Sequence, residues 1–213
     1  MKRRSLKSSL ALLRRFRRAN DGFVASEFAL LLVPMLSIWI GMVVATDALN
    51  TDRRVTVLTR TLSDLATQFT AVSQSDLDSI FGATASILWP AQPTSMSMRL
   101  TSIDIDGAGV AWVDWSGVPT DSNLRGSFSA TARCTKINNL PAGLLVARTS
   151  VILAEASMKY QASVATQMVD ELFGGAFTGG KMPLGDKLYM RPRQVTKVTF
   201  SPAPGANCPG YVP

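Results

Sequence analysis

Residues 23–45 read FVASEFALLLVPMLSIWIGMVVA, an apolar run broken by few polar side chains, one of them the carboxylate Glu27. About 20 such residues cross the hydrocarbon core of a bilayer as a helix. A cleavable secretory signal has an apolar region of roughly 7–15 residues and a small-x-small cut site. This run is longer, and its helical pattern carries on. Beyond it, apolar residues recur at Val55, Leu58, Leu62, Leu65, Phe69 and Val72, alternating steps of three and four that make an a/d seam. No Pro or Gly interrupts residues 42–81. These patterns predict one continuous helix from 23 to about 70, on the order of 70 Å long. Its seam serves either to bundle with another helix or to dock on the chain's own globular part.

The remaining pattern is mixed. A short helix is expected to begin near Ser75, with Ser75 or Asp76 as cap, and to end near Trp89-Pro90. Met96, Met98 and Leu100, then Ile103 and Ile105, alternate as a strand. Asp106-Gly107 is a hairpin turn signal, and Val110 to Trp112 begin the return strand. Residues 116–127 read as a loop, 137–147 as a short helix or turn, and 149–164 as a further strand. The Gly-rich stretch 171–187 reads as a loop. Residues 188–200 read as a last strand pair or an edge strand interrupted by Pro192, before an irregular Pro-rich tail. The expected class is α+β: a long N-terminal transmembrane helix extending into a periplasmic domain whose mostly antiparallel sheet packs on that helix. The expected segments are a leader at 1–22, a transmembrane and extended amphipathic helix at 23–72, and an α+β domain at 73–213.

Charge refines this picture. The chain of 213 residues has a formal net charge of +7, which suggests nucleic-acid binding until the charge is located. Lys2, Arg3, Arg4, Lys7, Arg14, Arg15, Arg17 and Arg18 stand in the first 22 residues against one acid, Asp21, and the rest of the chain is balanced. The body therefore has no net pull on phosphate. The basic block before an apolar run is a topological signal that keeps the N-terminus in the cytoplasm and sends the bulk of the chain outside. Arg14-Arg15-Phe16 also suggests a twin-arginine signal, which meets the same objection as other cleavable signals. Cys134 and Cys208 are the two cysteines, and in an exported domain their default reading is one disulfide. His is absent, which removes the commonest general base and metal ligand. No cofactor, metal or catalytic residue is expected.

The most informative segment is Gly22-Phe23-Val24-Ala25-Ser26-Glu27-Phe28. A Gly follows the basic leader, and a Glu stands five residues later inside the apolar helix. A carboxylate there costs roughly 2.5 kcal/mol or more at mid-bilayer and less at the edge. This arrangement resembles the type IV-like prepilins, and RRFRRANDGFVASEFALLLVPMLSIWIGMVVA is similar to the TadE/TadG family of the tight-adherence (Tad, or Flp) pilus system. Leu188-Tyr189-Met190-Arg191-Pro192-Arg193 also resembles that family's C-terminal strand region. The resemblance implies cleavage by a prepilin peptidase between Gly22 and Phe23. It also implies that Glu27, fifth in the mature chain, pairs with the amino terminus of a neighbouring subunit during assembly. The implied partners are the peptidase, other pilins or pseudopilins, an inner-membrane assembly platform and the bilayer. The chain is longer than a major pilus subunit, which favours a minor pseudopilin. Its features do not separate TadE, TadF and TadG types. The alternative is a signal-anchored periplasmic binding or enzymatic domain.

Other candidates carry less. Asp104, Asp106 and Asp114 fit a solvated strand face and a turn better than a Ca²⁺ site or acid–base pair. Glu155 reads as an outward strand residue. Trp39 reads as part of the membrane helix, Trp112 and Trp115 as packing residues, and Arg191 and Arg193 as a solvated edge. Gly174-Gly175 and Gly179-Gly180 lack the flanking elements of a phosphate loop.

Overall fold

The computed structural model describes residues 22–88, 96–161, 181–203 and 208–212. The leader before Gly22, the expected helix end at Trp89-Pro90 and the four glycines at 174–180 lie outside these. The chain divides into two compact units at Ala45/Thr46, and helix α1, Gly22–Thr67, contributes to both.

In the first unit α1 is apolar and exposed. Val24, Phe28, Leu30, Leu31, Val33, Met35, Ile38, Trp39 and Met42 are all more than half accessible, and the segment is long and apolar enough to cross a membrane. Pro34 lies within the helix, where it has no N–H to offer the carbonyl one turn back. The Ser37 hydroxyl donates to the Val33 carbonyl at 2.8 Å, so this polar side chain is satisfied by its own helix.

In the second unit one face of α1 is buried through Thr51, Val55, Leu58, Thr59, Leu62, Ser63, Ala66 and Thr67. The spacing is that of a helix seated on a core. The predicted seam therefore docks within the domain. It is rotated from the expectation: Leu65 and Phe69 are only half-buried, and Thr or Ser fills several of the contact positions. Thr51 and Thr59 can be buried because each donates to the carbonyl four residues back, at 2.9 Å. The helix stops at Thr67 rather than near 70, where Gln68 N–H donates to the Leu65 carbonyl.

Two residues of strand β1, Ala71–Val72, lead to helix α2, Gln74–Ala85, and a 3₁₀ turn at Ser86–Leu88. The α2 cap is Ser73, not Ser75 or Asp76. Ser73 and Asp76 form a reciprocal capping box, with Asp76 as its third-position acid. Leu77, Ile80, Phe81 and Thr84 form the buried face of α2.

Strands β2 (Met96–Ile105), β3 (Ala111–Gly117), β4 (Thr149–Gln161) and β5 (Lys181–Met190) form one antiparallel sheet in the order β3-β2-β4-β5. Strand β5 corrects the expectation of a loop through residue 187. Gly185, Asp186 and Pro183 disguise it, and all three are tolerable because β5 is the terminal strand of the sheet. Beyond Met190 the backbone is irregular until β6, Thr199–Phe200, which pairs in parallel with β1.

Strand β2 explains the parity change in its own sequence. Side chains alternate between faces, so Met96, Met98 and Leu100 lie on one face and Ile103 and Ile105 on the other. The first face meets the helices: Thr84 Oγ1 lies 3.9 Å from Met98 Sδ, and Thr67 Oγ1 lies 3.9 Å from Met190 Sδ. Tyr160 donates to Asp47 of α1 on the same side. The second face is a separate core of Ile103, Ile105, Ala111, Leu140, Val151 and Leu153, covered by Ile137 and Leu144 from the long 118–148 connection. A sheet covered on both faces buries nearly continuous strands. That connection contains the short helix α3, Ser122–Arg125, which stops at Gly126 with φ of 50°. A Cβ at Gly126 would strike the Met96 carbonyl.

Candidate functional site

Two regions bring chemistry-bearing residues forward. The first is the start of α1. Gly22 and Phe23 lie at its N-terminal end, and Glu27 is exposed one turn further on, among exposed apolar residues. An apolar, exposed stretch of helix such as this one needs a lipid or protein partner. Glu27 is the one acid between Gly22 and Ala45, so its carboxylate is isolated within that surface.

The second region is the end of the sheet at the β2–β3 turn. Asp106 is buried there, and its carboxylate accepts from the backbone of Ala108 (2.9 Å) and Val110 (2.8 Å) and from Trp112 Nε1 (2.9 Å). Burial alone would raise its pKa. The Trp112 indole and the backbone donors of Val110, Ala108 and Val212 outweigh that and hold it below the ordinary 3.8. Next to it Lys197 Nζ lies 2.9 Å from Asp104 Oδ2 and 3.1 Å from Asp114 Oδ2. Tyr211 donates to the same Asp104 oxygen at 3.0 Å. Burial would lower the Lys197 pKa, but the two carboxylates hold it above 10.5. Burial and the neighbouring Asp104 push Tyr211 above 10.0.

These contacts correct the reading of Asp104, Asp106 and Asp114 as a solvated face. Asp106 and Asp114 are buried, and Asp104 is half-buried and ion-paired. Asp114 is the extra residue where the β2–β3 register jumps from Ser102↔Trp115 to Ile103↔Val113. A bulge of this kind re-aims a side chain. Each of the three carboxylates has a donor or cation beside it. Among the described residues no cluster of three or more metal-type ligands occurs.

Cys134 and Cys208 form a disulfide, with Cα atoms 5.2 Å apart. It joins the 134–137 segment to the C-terminal residues 208–212. Among the described residues, those five are also held by the Tyr211–Asp104 bond and a bond from Gly107 N–H to the Val212 carbonyl at 2.8 Å. The covalent link adds to these. With the cysteines 74 apart in sequence, it stabilises the fold by roughly 4 kcal/mol through the lost entropy of the unfolded chain.

The other singled-out residues have structural partners. Glu155 pairs with Arg99 at 2.5 Å, and Arg99 also stacks on Phe128 at 5.2 Å. Trp112 and Trp115 are buried, and Trp115 Nε1 donates to the Val198 carbonyl at 2.8 Å. Trp39 stands exposed on α1, and Arg193 pairs with Asp64 at 2.5 Å. Sequence reasoning missed Lys197, Tyr211 and Arg133. A usable signal existed: a closed hairpin brings Asp104 and Asp114 together, and two carboxylates withdrawn from water demand a cation. No family model, curated protein or solved structure matches the chain.

Proposed function

We propose that this chain is a minor pseudopilin, a structural and assembly component of a Tad-type (Flp, type IV-like) pilus. In this reading a prepilin peptidase removes the basic leader after Gly22. The apolar part of α1 then anchors the chain in the inner membrane, with the disulfide-bonded α+β unit in the periplasm. The carrying observation is the exposed apolar helix bearing one acid, Glu27, five residues after Gly22. The basic block ahead of it supports the orientation, and the disulfide suits an oxidising compartment.

Glu27 gives the mechanism. Cleavage creates a cation on the Phe23 nitrogen, and a carboxylate at the bilayer edge favours a paired state. A neighbouring subunit's terminus meets that need while the apolar helices pack through small residues such as Ala25, Ala29 and Gly41. Partners are therefore other pilins or pseudopilins and the assembly platform.

The test is Glu27→Leu in the native cell, with leader removal checked first by mass. The variant should insert, be cleaved and keep its periplasmic domain folded. It should also lose co-purification with pilins and pilus production. Normal pili from cleaved Glu27→Leu protein would refute the proposal.

A further inference from the structure

We propose that Cys134–Cys208 is a redox-operated latch: oxidised, it holds a strap over the outer side of β3, and reduction by a dithiol opens that end of the domain while the rest of the sheet stays folded. This inference does not depend on the assembly role of α1.

The strap is residues 133–137. Strand β3 ends the sheet, and its outer ladder groups are met by this segment alone among the described residues. Val113 N–H donates to the Thr135 carbonyl at 3.0 Å, Cys134 N–H to the Val113 carbonyl at 2.8 Å, and Ile137 N–H to the Ala111 carbonyl at 2.9 Å. Arg133 Nε reaches the Asp114 carbonyl at 3.2 Å, and Lys136 stacks on the Trp112 ring at 4.7 Å. Thr135 and Lys136 are exposed, Arg133 and Cys134 are half-buried, and Ile137 is half-buried against the second core. Cys134 sits at φ 63°, a left-handed conformation that a residue with a Cβ adopts at a cost. Strap and tail thus share one weakness. Each is held by a few hydrogen bonds, joined in the strap by the packing of Ile137, set against ordering entropy and, at Cys134, backbone strain. The disulfide ties them covalently to each other.

The surroundings give the bond a route to reduction. Cys208 is buried and lines a cavity of about 80 Å³ with Lys197, Arg133 and Tyr211, whereas Cys134 is half-buried. A thiolate of the dithiol attacks Cys134 Sγ. The S–S bond breaks, and Cys208 leaves as a thiolate into the cavity that Lys197 and Arg133 line together with Asp104 and Asp114. The second thiol of the reductant then attacks the mixed disulfide and frees Cys134. Two electrons pass to the protein, both cysteines take up protons from solvent, and the reductant departs as its internal disulfide. The open form presents the Trp112 indole and the unpaired ladder groups of Ala111 and Val113, the kind of edge to which another strand can add.

The test is amide exchange on the full-length protein in detergent, before and after reduction in place, with thiols counted by alkylation and mass. Reduction should speed exchange at Gly107, Val113, Cys134 and Ile137 by roughly tenfold or more. It should leave the β2–β4 amides from Leu100 to Ile105 and from Val151 to Ala156 protected, and reoxidation should restore the slow rates. Three results would overturn the proposal: a bond that dithiol leaves intact in the folded protein, unchanged exchange at those amides after reduction, or loss of protection across the whole sheet.

Discussion

Replacing Leu62 by Ala removes a fully buried side chain from the α1 face that docks within the second unit. Its neighbours on that face are Leu58, Thr59, Ser63 and Ala66. Three of these are small, and the Ser63 hydroxyl is buried with no hydrogen-bond partner among the described residues, so the site can offer little bulk to refill the space. Leu→Ala in such a setting costs about 2–5 kcal/mol, the spread reflecting how far the cavity collapses. For a unit of this size each kcal/mol lowers the melting temperature by about 2–4 °C, so a cost of about 3 kcal/mol gives a drop of roughly 6–12 °C. The control is Leu36→Ala on the exposed part of the same helix, where the change should stay within about 0.5 kcal/mol. Thermal unfolding followed by circular dichroism in one detergent measures both. Equal shifts for the two variants would refute the division of α1 into a docked and an undocked half.

Further predictions concern the cap and the pH limits. Ser73→Ala should cost about 1 kcal/mol by breaking the capping box of α2, read as a lower denaturant midpoint with an unchanged slope. The Ser73 side chain and backbone hold Asp76 below its ordinary 3.8, so the stability it adds is present above pH 3.8 and lost as pH falls through the folded value. Ser73→Ala should therefore flatten the acid limb of a stability–pH curve, and an unchanged limb would contradict this. On the alkaline side Lys197 and Tyr211 are raised above 10.5 and 10.0. Burial and the Asp47 carboxylate likewise raise Tyr160 above 10.0. Their contributions are full below pH 10 and fall away as pH rises through the folded values. Unfolding midpoints should decline above about pH 10, and Tyr160→Phe should make that decline shallower.

What could be read from the chain divides by range. The long helix, the Asp106-Gly107 turn and the strand at Met96–Ile105 are written in local periodicity and turn chemistry, and they fold where expected. The parity switch from Met98 and Leu100 to Ile103 and Ile105 was visible too, but its cause is a sheet covered on both faces, which no local pattern states. Strands β1 and β6 are two residues each and have no period to detect. The Lys197 bridge joins residues 93 apart in sequence to Asp104, and Tyr211 reaches the same carboxylate from the tail. Such contacts follow from the closed fold and not from neighbouring residues. The Gly22–Glu27 step is a matter of spacing alone, and its reading belongs to the proposed function.

The central claim is that the basic leader is cut from the apolar helix by a prepilin peptidase, and intact-mass measurement with N-terminal sequencing of the membrane-purified protein tests it most directly. The mature chain should begin at Phe23, with Arg14 through Arg18 gone. Gly22→Leu should block that cut by removing the small residue at the scissile position. A mature chain that still carries those arginines, or one cut near Ala45, would contradict the account.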